Sequence, residues 1–181
     1  MLFDNHNRPL TYLRLAVTDR CNLRCSYCMP EHGLNWLSRS DLLTYEEMLR
    51  LCRILAALGI EKVRITGGEP LVRRDMMLFF NKLVKIRGIK EVGLTTNGVA
   101  TAQFVPQLKE LGIRSVNLSL DTLDRERFFQ ITRRDELPLK YIRWIYVLSK
   151  KCPLMVAIMA PELRHGIMSE SSIRSGNAGR S

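Results

Sequence analysis

No stretch of this 181-residue sequence is apolar for long enough to cross a membrane. The most apolar window, 141–160, is broken by Arg143, Lys150 and Lys151. The first twenty residues carry several charges and lack the apolar run of a signal peptide. A paired set of cysteines is also missing: there are five, and an odd number without a secretion signal argues against a disulfide framework. Acidic residues are scarce beside basic ones, 18 against 28, for a net charge of +10. That balance favours an anionic partner such as a nucleotide or nucleic acid and says nothing about fold. The sequence therefore reads as a soluble protein of a reducing compartment, the cytoplasm, with no membrane partner.

What is present is enough for a core. Hydrophobic residues make up 46% and charged residues 25%, which suits one soluble globular domain. From residue 12 to 119 short β-rich runs alternate with amphipathic segments. Strands are expected at 12–18, 62–66, 92–95 and 115–119. Thr44 and Glu47 form a capping box, after which Met48, Leu51, Cys52, Leu55 and Leu58 recur at helical spacing, and Gly59 is placed to end that helix. Further helices are expected at 76–86, with Asp75 as N-cap and Gly88 beyond it, and at 102–111, between Thr101 and Gly112. Strand followed by helix in this order means parallel strands joined by right-handed crossovers. Beyond Asp135 the pattern weakens: a helix over 138–151 and a strand over 154–159 are expected, and the polar, basic end at 169–181 reads as disordered.

Three of the five cysteines, Cys21, Cys25 and Cys28, fall within eight residues in the order C-x3-C-x2-C, directly after the first strand. Three thiolates on a short loop suit a soft metal centre. Their polar neighbours Asp19, Arg20, Asn22, Arg24 and Ser26 argue against simple reduced core cysteines. His32, four residues after Cys28, would complete a Cys3His zinc set. A four-iron cluster normally takes four cysteines, so three would leave one iron free to bind a small molecule. Other polar, glycine-bearing motifs follow the next strands: TGGEP at 66–70, TTNG at 95–98 and SLD at 119–121. Each alone is ordinary turn chemistry. Together they fall at the C-terminal ends of successive parallel strands, the rim on which barrel-like α/β folds build their sites. There Gly67 and Gly68 let backbone approach a ligand closely, and Glu69 can accept hydrogen bonds.

The run CNLRCSYCMP resembles the cluster loop of radical S-adenosylmethionine enzymes. In that family the open iron of a [4Fe-4S] cluster binds the amino and carboxylate groups of S-adenosyl-L-methionine, and an electron from the cluster cleaves the cofactor to a 5′-deoxyadenosyl radical. The resemblance implies an α/β fold, a partial (β/α) barrel of which about four to five βα units are present. GGEP is similar to the family's motif for the methionine amino group. Across residues 8–135, RPLTYLRLAVTDRCNLRCSYCMP, VRITGGEPLVRRD, LTTNG, VNLSLDTL and ITRRDEL closely resemble the GTP 3′,8-cyclase family of molybdenum cofactor biosynthesis. By that resemblance Cys21, Cys25 and Cys28 are cluster ligands, Tyr27, Gly68 and Ser119 contact S-adenosylmethionine, and Arg14, Arg64 and Thr95 contact GTP. From the residues alone, an arginine in a strand is equally an edge residue or half of a surface ion pair. The implied reaction removes hydrogen from the ribose C3′ of GTP and closes a bond to guanine C8, giving (8S)-3′,8-cyclo-7,8-dihydroguanosine 5′-triphosphate. GTP and an electron donor are the implied partners, a homodimer is allowed, and nucleic acid is not expected.

The resemblance fades near Leu139. Residues 1–138 read as the N-terminal part of the radical core and 139–181 as a divergent tail, as in a truncated or frame-shifted product. Val156 stands about where the family carries a GTP-binding lysine, and Met155 and Met159 read as core residues. Cys152 is the only cysteine after Cys52, so the family's second, C-terminal four-iron cluster is not encoded, and the chain alone is not expected to cyclise GTP. Two other readings stand beside this one: a radical enzyme acting on peptide or RNA, and a zinc-binding module built on Cys21, Cys25, Cys28 and His32. Cys52 reads as a core residue, His6 and His165 as surface residues, and Arg73, Arg74, Arg133 and Arg134 as solvated basic surface.

Overall fold

The structure is a computed structural model that describes residues 1–135 and, as backbone, the strand 155–158. The expected helix over 138–151, Cys152, Met159, His165 and the polar end at 169–181 lie outside the described residues.

Five strands form one parallel sheet: β1 (Tyr12–Ala16), β2 (Lys62–Thr66), β3 (Glu91–Thr96), β4 (Ser115–Leu118) and β5 (Met155–Ile158), in the spatial order β1-β2-β3-β4-β5. Four helices lie between or after them: α1 (Tyr45–Ala57), α2 (Met76–Leu83), α3 (Thr101–Glu110) and α4 (Arg125–Thr132). An unbroken strand order with crossovers of one hand places the connecting helices on a single side of the sheet, which distinguishes the singly wound barrel pattern from the doubly wound sheet. The core agrees. Leu15, Val63, Ile65, Val92, Leu94, Val116 and Leu118 from the strands, with Val17 just past β1, pack with Met48, Leu49, Cys52, Met76, Phe79, Phe80, Leu83, Val105 and Leu108 from α1, α2 and α3. Alternation along each strand sends the intervening residues to the other face.

The expected strand positions hold to within two residues at each end, and the expected strand at 154–159 is β5. The Thr44–Glu47 capping box is present, with each side chain accepting from the other residue's backbone N–H. Gly59 (φ 106°) stops α1 as foreseen: its N–H reaches Ala56 and that of Ile60 reaches Leu55, the paired bonds of a Schellman motif. Gly112 ends α3 in the same way. The buried face of α1 is Met48, Leu49 and Cys52, so Leu49 takes the core position expected of Leu51, and Leu58 is exposed at the C-cap.

Three helix details differ from the sequence reading. α2 ends at Leu83, three residues early, because the chain tightens into turns in which Lys85 and Ile86 bond back to Lys82 and Leu83. Asp75 occupies the N-cap of α2 in a left-handed conformation (φ 60°), and its side chain makes no capping bond. Thr101 begins α3 instead of preceding it, and its hydroxyl is turned inward to Thr96 Oγ1 at 3.0 Å. α4 went unforeseen, although Asp124 caps it by accepting from the Arg127 N–H at 2.7 Å.

Candidate functional site

The loops after β1, β2, β3 and β4 meet at the C-terminal rim of the sheet and are knitted by hydrogen bonds. After β2, the TGGEP turn lies against the start of the cysteine loop: Gly68 N–H donates to the Thr18 carbonyl at 2.7 Å and Glu69 N–H to that of Arg20 at 2.8 Å. A Cβ on Gly67 would stand 2.4 Å from the Thr18 oxygen, and one on Gly68 would stand 2.3 Å from the Arg20 oxygen. The two glycines therefore permit close approach of backbone to the cysteine loop, where the sequence suggested approach to a ligand.

Glu69 is fully buried, which was not expected of an acidic residue in a turn. One carboxylate oxygen accepts from Leu71 N–H and Thr96 Oγ1, and the other from Asn97 N–H at 2.7 Å. Burial pushes its carboxyl above the usual carboxylate range while these three donors pull it down. Its side chain thus braces the β2 loop to the TTNG loop. Asn97 carries the link onward, with its Nδ2 donating to Asn22 Oδ1 at 2.7 Å and lying 3.7 Å from Cys21 Sγ. Ser119 N–H donates to the Thr96 carbonyl at 2.8 Å, and Tyr27 OH donates to Asp121 Oδ2 at 2.8 Å.

The cysteine loop is further held from below and behind. Leu23 is buried in a small second core with Leu120 and Phe128, against which Cys21 and Cys25 pack. The C-terminus of α4 grips the loop: the N–H groups of Arg24 and Ser26 donate to the carbonyls of Thr132 and Ile131, and the Arg133 guanidinium donates to the carbonyls of Arg24 and Met29. Arg133 is therefore a loop clamp, not the solvated basic residue expected. Arg73 is likewise structural. It donates to the carbonyls of Val17 and Leu43 and lies over the Tyr45 ring at 4.3 Å.

Cys21 and Cys25 are half-buried and Cys28 is exposed, all three with free thiols. Burial pushes the thiols of Cys21 and Cys25 above their ordinary value. Leu23 N–H donates to Cys21 Sγ at 3.4 Å. Soft sulfur donors on one loop, supported by N–H groups, fit a thiolate-bound metal cluster whose coordination replaces the thiol protons. Among the described residues no group of three His, Cys, Asp or Glu side chains is arranged to hold a single metal ion.

The residues assigned to the cofactor, Tyr27, Gly68 and Ser119, are exposed at this rim, one each on the loops after β1, β2 and β4. Those assigned to GTP sit below them on the strand face that α1, α2 and α3 leave uncovered. Arg14 pairs in register with Arg64, Arg64 with Gly93, and Thr95 with Asn117. The Arg64 guanidinium lies across neighbouring strands, donating to Tyr12 OH, the Leu94 carbonyl and Ser115 Oγ. Arg14 is exposed and has no hydrogen bond or ion pair among the described residues. Neither arginine is neutralised by a carboxylate among the described residues, against the ion-pair alternative left open by the sequence. Among the described residues no helix is long and apolar enough to cross a membrane.

Comparison with known proteins agrees with this geometry. Residues 15–161 match the family profile described as the Radical SAM superfamily. The chain is 52% identical over 139 residues to the GTP 3′,8-cyclase of Paracoccus denitrificans, covering 76% of this chain and 40% of that protein. It is 50% identical over 131 residues to the GTP 3′,8-cyclase of Thermodesulfovibrio yellowstonii, covering 72% of this chain and 41% of that one. Against the molybdenum cofactor biosynthesis protein moc-5 of Caenorhabditis elegans the identity is 47% over 133 residues, 74% of this chain and 22% of the other. The chain thus spans about two fifths or less of the length of these relatives. Among solved structures, Streptococcus suis SuiB bound to S-adenosylmethionine matches with a TM-score of 0.62 at 21% identity, covering 83% of this chain and 32% of that one. Native anSMEcpe with bound AdoMet matches with a TM-score of 0.63 at 20% identity, covering 84% and 44%. At such identities these two establish the shared fold. With a profile match over most of its length, the chain belongs to the radical SAM superfamily.

Proposed function

We propose that this chain is the cluster- and nucleotide-binding part of a GTP 3′,8-cyclase, a lyase of molybdenum cofactor biosynthesis, working in the cytoplasm with an electron donor. The observation that carries the reading is the pairing of Arg14 with Arg64 on the open strand face, beneath a rim that bears Cys21, Cys25 and Cys28. The names of relatives about half identical to this chain support it.

Cys21, Cys25 and Cys28 would hold a [4Fe-4S] cluster with one iron left for S-adenosyl-L-methionine, and together these groups supply a carbon radical able to take hydrogen from ribose C3′. The chain's own residues bind and orient. Tyr27, Gly68 and Ser119 present phenol, backbone and hydroxyl to the cofactor from three separate loops, which the bonds between those loops hold in fixed relation. Arg14 and Arg64, in register on neighbouring strands, would each offer a guanidinium to triphosphate oxygens through charge-assisted hydrogen bonds. Arg64 is pre-set by Tyr12, Leu94 and Ser115, so little side-chain entropy is lost when the nucleotide binds. Thr95, one pleat nearer the rim, lies between the arginine row and the cofactor positions.

GTP-dependent protection against heat denaturation, measured on the anaerobically reconstituted protein, tests this reading. Protection by GTP that RNA does not reproduce and that Arg14→Ala removes is expected. Equal protection by RNA, or none by GTP, overturns it.

A further inference from the structure

We infer that Asn97 is a positioning residue for the cluster, holding Cys21 and its loop in place and donating a hydrogen bond to the ligating sulfur. The inference deepens the reading of Cys21 as a cluster ligand and rests on it.

Asn97 is buried, and every polar group of its side chain has a defined partner. Oδ1 accepts from the Val99 N–H at 3.1 Å, and Nδ2 donates to Asn22 Oδ1 at 2.7 Å. Reversing the amide would set oxygen against oxygen at Asn22 and N–H against N–H at Val99, so the orientation is fixed by its neighbours. The second Nδ2 hydrogen is then available to Cys21 Sγ at 3.7 Å, a distance suited to a sulfur acceptor. A thiolate bound to a cluster is a stronger acceptor than the thiol.

Asn97 is itself anchored. Its backbone N–H ends on the buried Glu69 carboxylate, which also holds Thr96 and Leu71. Residues from the loops after β2, β3 and β1 thus form one chain, Glu69 to Asn97 to Cys21 and Asn22. Hydrogen bonds to cluster sulfurs favour the reduced, more negative state, so a donor here raises the reduction potential. Cys21 takes a second such bond from the Leu23 N–H, and the two amides lie on different chain segments.

The test is an EPR-monitored redox titration of the reconstituted full chain, with iron and sulfide content and the circular dichroism of the metal-free protein measured alongside. Asn97→Ala removes the donor. Asn97→Asp keeps the shape and the backbone bond to Glu69 but places a carboxylate oxygen near the sulfur. Both variants are expected to keep the metal-free fold and to titrate at a more negative potential than wild type, Asn97→Asp further than Asn97→Ala. Loss of bound iron with the metal-free fold intact also supports the positioning role. Wild-type potential in both variants, or loss of the metal-free fold in both, overturns it. Cys21→Ala is the control: if it retains a normal cluster, the ligand assignment fails, whereas failure of the Asn97 variants alone leaves that assignment standing.

Discussion

The position a Cβ would take on Gly68 is 2.3 Å from the carbonyl oxygen of Arg20, so the turn after β2 and the loop bearing the cysteines touch backbone to backbone. Any side chain at Gly68 must push the two loops apart. Overpacking of this kind costs about 1–3 kcal/mol. Gly68→Ala is expected to lower thermal stability by that amount and to reduce iron uptake, read as iron per chain after reconstitution. Uptake and melting like wild type would show that the loops separate freely.

Arg14 and Arg64 make different contacts, and their variants should separate. Arg14→Ala breaks no hydrogen bond or ion pair among the described residues, so the melting temperature without ligand should be unchanged. A lost charge-assisted bond is worth about 1.5–3 kcal/mol, which corresponds to roughly ten-fold or greater weakening of GTP binding by calorimetry. Arg64→Lys cannot reach Tyr12, Leu94 and Ser115 together and should lose both affinity and some stability.

Glu69 tests the loop network. Three donors converge on its two oxygens. In Glu69→Gln an N–H must face at least one of them, leaving a buried donor unpaired at about 1–3 kcal/mol. Lower stability in denaturant titration is the expected result, together with weaker cluster retention.

Cys52 gives a pH dependence with a definite sign. Its buried thiol is pushed up to about 11, above its ordinary value, because burial opposes the thiolate. Below the unfolded value near 9 both states hold the proton and the group adds no slope. From there up to about 11 the unfolded chain releases the proton while the folded one retains it, so stability falls as pH rises. The slope is at most about 1.4 kcal/mol per pH unit. Wild type compared with Cys52→Ala over this window should show the extra slope in wild type only.

Much of the frame was legible in the residues. Thr44 with Glu47, and Gly59 and Gly112, fixed helix ends because their bonds are local and leave a direct mark in sequence. Strand positions followed from short β-rich runs between helical segments. The cysteine spacing placed the candidate metal loop, whereas Arg14, Arg64 and Thr95 were singled out by the family resemblance alone, and their common strand face came from the register of the sheet. What escaped was long-range. Glu69 read as an acceptor facing a ligand and Asn97 as part of the TTNG turn, because their partners, Thr96 and Cys21, are distant in the chain. Arg73 and Arg133 read as surface charge because no sequence feature announces a guanidinium that ends on distant carbonyls. For α4, Asp124 was the available cap signal, followed by Phe128 and Thr132 at helical spacing.

The most direct test is anaerobic reconstitution of this chain with iron and sulfide, followed by EPR of the reduced protein with and without S-adenosylmethionine. The account predicts about four irons bound per chain through Cys21, Cys25 and Cys28, and a signal that changes when the cofactor is added. A colourless zinc-bound protein, or a cluster whose signal is indifferent to the cofactor, would contradict it.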